Sequence, residues 1–409
     1  MEIPIFSSPQ IVSELLEKYR DAFPDIRLFR HFEEIVNAMQ ISDKRSIAHL
    51  NSLSLDHANQ SNMNRFLSSG IVEDLIFQGN VNLINTIEKD GILAIDDTIV
   101  EKTGKNIEAA GWIFDHSIGK TVWGIQITTS VLSGRYGMYP ISAEIYRRME
   151  KLDSEGRKEE YRTKIEMQIE TIGKCISAGL HFSIVTGDIW YFTKDMVKYL
   201  DEKKLDWVFQ SKGNRKIKIR GRWTTLEEID LSYTDSRIFT ISGNTYSVWE
   251  IEGRVKGIGS VKAIISEGIS GRRYYVTNHR KWKAKRILET YLERWVIEVL
   301  HRDYKQDGLG GISLRKLCKT ELYLRLIVSG RTLLEIASIR SLNRYPGIPD
   351  RVGKRKRWIA FEMLESLFMG FRKYGDTLIQ AAKKSITDPY RSSRGILERL
   401  EELNVGRSI

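Results

Sequence analysis

Between Gly91 and Gln210 the hydrophobic period switches between two and about 3.6, and the order of those switches restricts the architectures open to the chain. Ile92, Leu93, Ala94 and Ile95 form a short apolar run that ends in Asp96-Asp97-Thr98. Val122 to Leu132 and Tyr136 to Ile145 follow, rich in β-branched and aromatic residues and separated by Gly134. A helix is predicted over about 156–179, with Ile165, Ile169, Ile172 and Ile176 on one face. Phe182 to Thr186 reads as a fourth strand ending at Gly187-Asp188, residues 193–204 as a helix, and Trp207 to Gln210 as a fifth strand. Three strands, helix, strand, helix, strand implies an α/β core around a mixed sheet.

The flanks read differently. Residues 1–90 carry helical repeats (Ile11, Leu15, Leu16, Tyr19; then Phe32, Ile35, Val36, Met39), with turns at Ser42-Asp43 and Ser52 to Asp56. From 212 to 278 the chain is strand-rich: Lys216 to Ile219, Arg237 to Ile241, Thr245 to Ile251, Val261 to Ile265 and Arg273 to Thr277, with turns at Ser242-Gly243-Asn244 and Gly257-Ile258-Gly259. One long helix is expected over about 283–306, and helices beyond it, broken at Pro346-Gly347-Ile348-Pro349. The expected domains are a helical region at 1–90, a core at 91–211 and 272–310, a β insertion at 212–271, and a helical region at 311–409.

Composition narrows the function. The net charge is +11, yet residues 1–90 hold 8 Lys/Arg against 13 Asp/Glu, so the remainder carries +16. A basic field of that size favours a polyanion such as nucleic acid. Cys175 and Cys318 form neither a disulfide framework nor a zinc site and suit a reducing cytosol. No run nears ~18 apolar residues and no leader pattern opens the chain, so no membrane span is expected.

The helix at 283–306 is the most informative segment for chemistry. At ~100° per residue, Tyr291, Arg294, Glu298 and Lys305 fall in one polar stripe, opposite Leu292, Val296, Val299 and Leu300. Arg294 and Glu298 are also spaced as an ordinary surface ion pair. Asp96 and Asp188 sit at the ends of the first and fourth strands, where an acid in an apolar strand is costly unless paired or metal-bound. If those strands are neighbours and the helix packs beside them, Asp96, Asp188 and Glu298 converge as hard oxygen ligands of the kind Mg²⁺ prefers.

These residues carry a resemblance. Tyr291-x2-Arg294-x3-Glu298-x6-Lys305 resembles the YREK signature of a large group of bacterial insertion-sequence transposases. Ile95-Asp96-Asp97-Thr98 and Val185-Thr186-Gly187-Asp188 resemble that group's first and second aspartate motifs, and Asn59 to Leu67 extends the likeness loosely toward the N-terminus. The resemblance implies a ribonuclease H-like mixed-sheet core interrupted by a β-rich insertion; the 110 residues from Asp188 to Glu298 leave room for one. It implies a DDE transposase that cuts transposon ends and joins their 3′-OH groups to target DNA. Asp96, Asp188 and Glu298 would be the catalytic metal ligands, with Asp97 the alternative to Asp96. The cofactor would be two Mg²⁺ ions, with Mn²⁺ as substitute. Tyr291, Arg294 and Lys305 would contact phosphates. Double-stranded DNA would be the partner, with a homodimer in the DNA complex, in the cytoplasm of a bacterial or archaeal cell.

Two basic clusters fit backbone binding: Lys212 to Arg222, with Lys216, Lys218, Arg220 and Arg222 among its six Lys/Arg and no acid, and Lys354-Arg355-Lys356-Arg357 before Trp358. A solvated basic loop is the plainer alternative for each. Trp223 and Trp249 are candidates for the aromatic that related enzymes use to hold a flipped base, although burial in the insertion is the plainer expectation. Ile118-Gly119-Lys120-Thr121 resembles the end of a phosphate-binding loop, but Phe114 stands where the first glycine is required and the segment enters a strand. His116 and His301 would lie near the site, as structural histidines or otherwise. A DNA-binding relative that no longer cuts, and a nuclease that does not transpose, are the competing readings.

Overall fold

The computed structural model describes residues 5, 7–42, 46–54, 58–69, 73–116, 118–232, 235–269, 271–305, 309–310, 314–341 and 352–376, together with 379 and 383. The turns expected at Asp43 and Asp56, the break at Pro346 to Pro349 and the chain after 383 lie outside the described residues.

Helices α1 (Gln10–Leu16), α2 (Ile26–Ile41), α3 (Ile47–Ser52), α4 (Gln60–Phe66) and α5 (Glu73–Asn85) form the N-terminal region. The Asp25 side chain caps α2 by accepting from the Arg27 N–H, and Phe29, Phe32, Ile35 and Val36 bury its apolar face. Four strands follow, β1 (Ile92–Glu101), β2 (Gly111–Asp115), β3 (Lys120–Ser133) and β4 (Met138–Tyr146). Next come α6 (Met149–Ser154), α7 (Lys164–Ser177), β5 (Ile184–Gly187), α8 (Lys194–Glu202) and β6 (Asp206–Ser211). The helix expected from 156 starts at Lys164, where Thr163 and Glu166 form a reciprocal capping box.

β1 pairs antiparallel with β3, and β3 antiparallel with β4; β1 pairs parallel with β5, and β5 parallel with β6. The resulting order, β4-β3-β1-β5-β6, makes the first and fourth core strands neighbours and is that of a ribonuclease H-like sheet. The sheet continues without a gap into the strand-rich segment, through β12 (Gly271–Thr277), β11 (Gly259–Gly268), β10 (Asn244–Val255), β7 (Lys216–Ile219) and β8 (Arg222–Thr225), with β9 (Arg237–Ile241) on β10. Ser242 and Gly243, with φ of 47° and 79°, make the tight β9–β10 turn.

Three expectations need correction. β1 does not end at Asp96 but runs to Glu101, because β3 pairs with it along its whole length. The sequence reading missed β2 and β8, both short edge pieces. The helix expected over 283–306 is two helices, α9 (Ala284–Leu292) and α10 (Trp295–Tyr304). At the junction the N–H groups of Arg294, Val296 and Ile297 bond three residues back, to Tyr291, Glu293 and Arg294. Such turns advance about 120° per residue instead of about 100°. The apolar face is thereby rotated: Ile297, Leu300 and Tyr304 are fully buried, whereas Leu292, Val296 and Val299 are only partly covered.

α11 (Leu317–Ser341) packs on β4, α2 and α5 and is buried almost all round, and α12 (Val352–Tyr374) packs on α2 and α11. A buried ion network ties these helices to α10. Arg331 meets Glu335 at 2.7 Å and Asp303 at 3.2 Å, and Glu335 also pairs with Arg355.

Gly187, the last residue of β5, packs against fully buried neighbours. A Cβ there would lie 3.0 Å from both Ile95 Cγ1 and Phe209 Cε1. Gly187→Ala is therefore expected to destabilise the fold by about 1–3 kcal/mol through displacement of β5, measured by urea unfolding; an unchanged midpoint would mean that this contact does not seat Asp188.

Candidate active site

The site begins where two parallel strands part. β1 and β5 are paired from Ile92–Ile184 to Ile95–Gly187, and β5 then ends while β1 continues. The next residues on the two strands are Asp96 and Asp188. Both line a cleft of 710 Å³ with Asp97, Gln126, His116, Phe114, Lys164, Trp190 and Lys305. Ligands of α/β sheets commonly gather in such a gap, beyond the carboxyl ends of parallel strands.

Asp96 and Asp97 are adjacent on a strand and address different neighbours. Asp96 Oδ2 lies 2.8 Å from Arg294 Nη1 at the start of α10, and Asp96 Oδ1 accepts from the Asp97 N–H at 2.9 Å. Asp97 is held by other donors: Lys164 Nζ at 2.8 Å and the Tyr191 hydroxyl at 3.2 Å on Oδ1, and Gln126 Nε2 at 2.7 Å on Oδ2. Asp188 Oδ1 accepts from the Trp190 N–H at 2.9 Å. Lys164, Tyr191, Gln126 and Trp190 were not singled out from the sequence; no motif or periodicity marks them.

Burial pushes the Asp96 carboxyl up to about 7; the Arg294 charge opposes this and the neighbouring Asp188 adds to it. Asp188 is raised as well, chiefly by burial, against the Trp190 hydrogen bond and the Arg294 charge. Burial works against the Arg294 cation, but Tyr291, Asp96 and Glu298 together outweigh it and raise its pKa. His301, whose Nε2 lies 2.7 Å from Thr129 Oγ1, is lowered to about 4 by burial and by Lys305.

Glu298 Oε1 accepts from Arg294 Nη2 at 2.5 Å, so one guanidinium bridges Glu298 and Asp96. Among the described residues no group of three His, Cys, Asp or Glu side chains is gathered closely enough to hold a metal ion. Asp96 and Asp188 nonetheless fit a divalent cation: they are hard oxygen donors, both raised by burial, and the charge of Asp188 adds to the rise at Asp96. Arg294 Nε is buried with no hydrogen-bond partner in the structure. Glu298 is held by Arg294.

The other predicted residues scatter. The Tyr291 hydroxyl donates to Gln210 at 2.7 Å and its ring packs 4.4 Å from Tyr275, so the tyrosine is buried and not open to a phosphate. Lys305 is exposed at the cleft wall. Lys216, Lys218, Arg220 and Arg222 are exposed on the β7–β8 hairpin, whose turn uses the positive φ of Arg220 and Gly221. The second cluster is helical, at the start of α12: Lys354 and Arg357 are exposed, Lys356 is half-buried, and Arg355 is committed to Glu335, with burial lowering it to about 10. Trp223 is 50% exposed, against the expectation of burial, because β8 stands at the sheet's edge. Trp249 is half-buried against the core.

Arg294→Gln is expected to destabilise the metal-free protein by about 1–3 kcal/mol, since it strands a buried carboxylate. Asp96→Asn in the same chain should recover part of that loss. A four-protein urea cycle measures the coupling; strictly additive effects would deny the bridge.

No curated protein sequence matches the chain. A solved structure titled "Drosophila P element transposase strand transfer complex" aligns over 97% of this chain and 98% of that one, at 12% identity, but with a TM-score of 0.23 the likeness has no bearing on fold or function. A family model matches residues 122–343, more than half of the sequence, from β3 to past the end of α11. The chain belongs to that transposase family, described as "Archaeal putative transposase ISC1217".

Proposed function

We propose that this protein cuts DNA at transposon ends and joins the freed 3′-OH groups to target DNA, as a DDE transposase of the YREK kind. One observation carries the reading: Asp96 and Asp188 stand side by side where β1 and β5 part, and Arg294 ties Asp96 to Glu298. The carboxylates are Asp96, Asp188 and Glu298. Asp96 is preferred over Asp97 because Asp96 shares Arg294 with Glu298, whereas Asp97 is already held by Lys164, Gln126 and Tyr191.

Mg²⁺ ions, with Mn²⁺ as substitute, would be held by these carboxylates and would supply the Lewis acidity that polarises a scissile phosphate. The chain's own residues do the rest. Arg294 keeps Asp96 and Glu298 compensated until substrate is present. A phosphate entering the cleft competes with Glu298 for the Arg294 guanidinium, and Glu298 turns toward the aspartates. Lys305, at the cleft wall, holds a neighbouring phosphate. The exposed β7–β8 hairpin and the start of α12 bind the duplex backbone through Lys216, Lys218, Arg220, Arg222, Lys354 and Arg357. Joining two ends calls for a homodimer on DNA, and the cytoplasm supplies the substrate. The domains expected from the sequence, with 212–271 as an insertion, are part of this proposal.

The test is cleavage of a DNA carrying the gene's own flanks, with Mg²⁺ or Mn²⁺. Glu298→Gln is expected to abolish cutting, beyond the about 10–100-fold that loss of an outer-shell partner costs, while leaving DNA binding intact. Equal cutting by mutant and parent would overturn the assignment; binding with no cutting by either protein would point to a DNA-binding relative that does not cleave. Lys305→Ala should weaken DNA binding and lower the slope of log affinity against log salt by about one. An unchanged slope would remove Lys305 from the phosphate contacts.

A further inference from the structure

One wall of the cleft is aromatic and exposed. Phe114, on β2, is 45% exposed, and Trp190, two residues after Asp188, is 56% exposed, and both line the cleft. The rings form a sequence: Phe114 lies 4.9 Å from His116, and His116 lies 5.7 Å from Trp190. Burying such rings against the core would stabilise the fold by roughly 1.5–3 kcal/mol each, so leaving them at the mouth of a polar cleft calls for a ligand.

The charge beside the rings identifies its class. Lys212 Nζ lies 5.7 Å from the Trp190 ring centre, Lys164 Nζ, which also holds Asp97, lies 5.8 Å from it, and Arg148 and Lys305 line the same cleft. Flat apolar faces flanked by cations match a strand whose bases offer π-faces and whose backbone offers anions. A second protein surface would match the rings but not the lysines. A paired duplex would match the lysines but keeps its bases stacked internally.

We propose that Trp190, with His116 and Phe114, is a stacking platform for unpaired nucleobases, and that it holds a single-stranded stretch of DNA beside Asp188. The Trp190 N–H to Asp188 hydrogen bond sets the distance between platform and carboxylate. Trp190 is thus a positioning residue for the reaction proposed above, and the inference rests on that reading. It differs from the edge tryptophan Trp223, which lies on another part of the sheet, on β8.

The test uses the full-length protein in chelator, so that no cutting intervenes, with a labelled single-stranded oligothymidine and a blunt duplex of the same length as probes. Trp190→Ala should weaken oligothymidine binding by about five-fold or more, the lower end of what one base on an aromatic ring contributes. Trp190→Phe should retain affinity within about two-fold, and neither change should move duplex binding by more than that. Full oligothymidine affinity in Trp190→Ala, or an equal loss on both probes, would overturn the platform. A Trp190→Ala protein that changes its sedimentation without DNA would assign the rings to a contact between copies, and would overturn it too. A parent that binds duplex but not oligothymidine defeats this inference alone; a parent that binds neither defeats the transposase reading beneath it.

Discussion

The parting of β1 from β5 after the Ile95–Gly187 pair is the constraint on which the site depends. Up to that pair, two parallel strands are locked side by side in the middle of the sheet, and their inward residues are fully buried. Beyond it, β1 keeps its antiparallel partner β3, while β5 leaves for the turn that leads to α8. Two carboxylates are thereby brought to one opening by backbone pairing alone. Gly187 permits this close approach, because any side chain there would press on Ile95 and Phe209.

Two carboxylates in a half-dry cleft need compensation. Arg294 supplies it to Asp96, and bonds Glu298 as well, while Asp188 accepts the Trp190 N–H. The placement of Arg294 follows from the tightened turn between α9 and α10, which rotates the later helix so that Ile297, Leu300 and Tyr304 enter the core. A continuous helix would direct the same residues along a different line. The position of α10 is further secured from outside the core, by Asp303 in the buried network with Arg331 and Glu335 on α11. The helical N- and C-terminal regions, packed together around α11, therefore bear on the site through α10.

The ribonuclease H-like order was legible in the sequence because each core strand is a short β-branched run bounded by turn residues, and because α7 and α8 carry a clear apolar stripe and a Thr cap. Short edge strands escaped for the opposite reason. β2 has a single buried side chain and β8 has none, so neither shows an alternation to read. Asp96, Asp188 and Glu298 were legible as acids at telling positions; the competition of Arg294 for two of them was not, since spacing reveals which side chains share a helix face and not which way a guanidinium turns. The same holds for Asp97, whose three partners come from β3, α7 and the loop before α8. It holds again for Arg355, which reads as a free cation in a basic run and is drawn to Glu335.

Sequence alone determined the period of each element, the excess of positive charge beyond residue 90, and the residue types available for metal and phosphate chemistry. Those properties are local or additive, so they survive without knowledge of the fold. Tertiary structure decided which of two adjacent aspartates shares Arg294 with Glu298, that Tyr291 is buried against Tyr275 rather than open, that the strand-rich segment extends the core sheet, and that Trp190, Phe114 and His116 gather at one cleft. Each of these depends on pairing register and helix rotation between segments far apart in the chain, and no local pattern encodes that geometry.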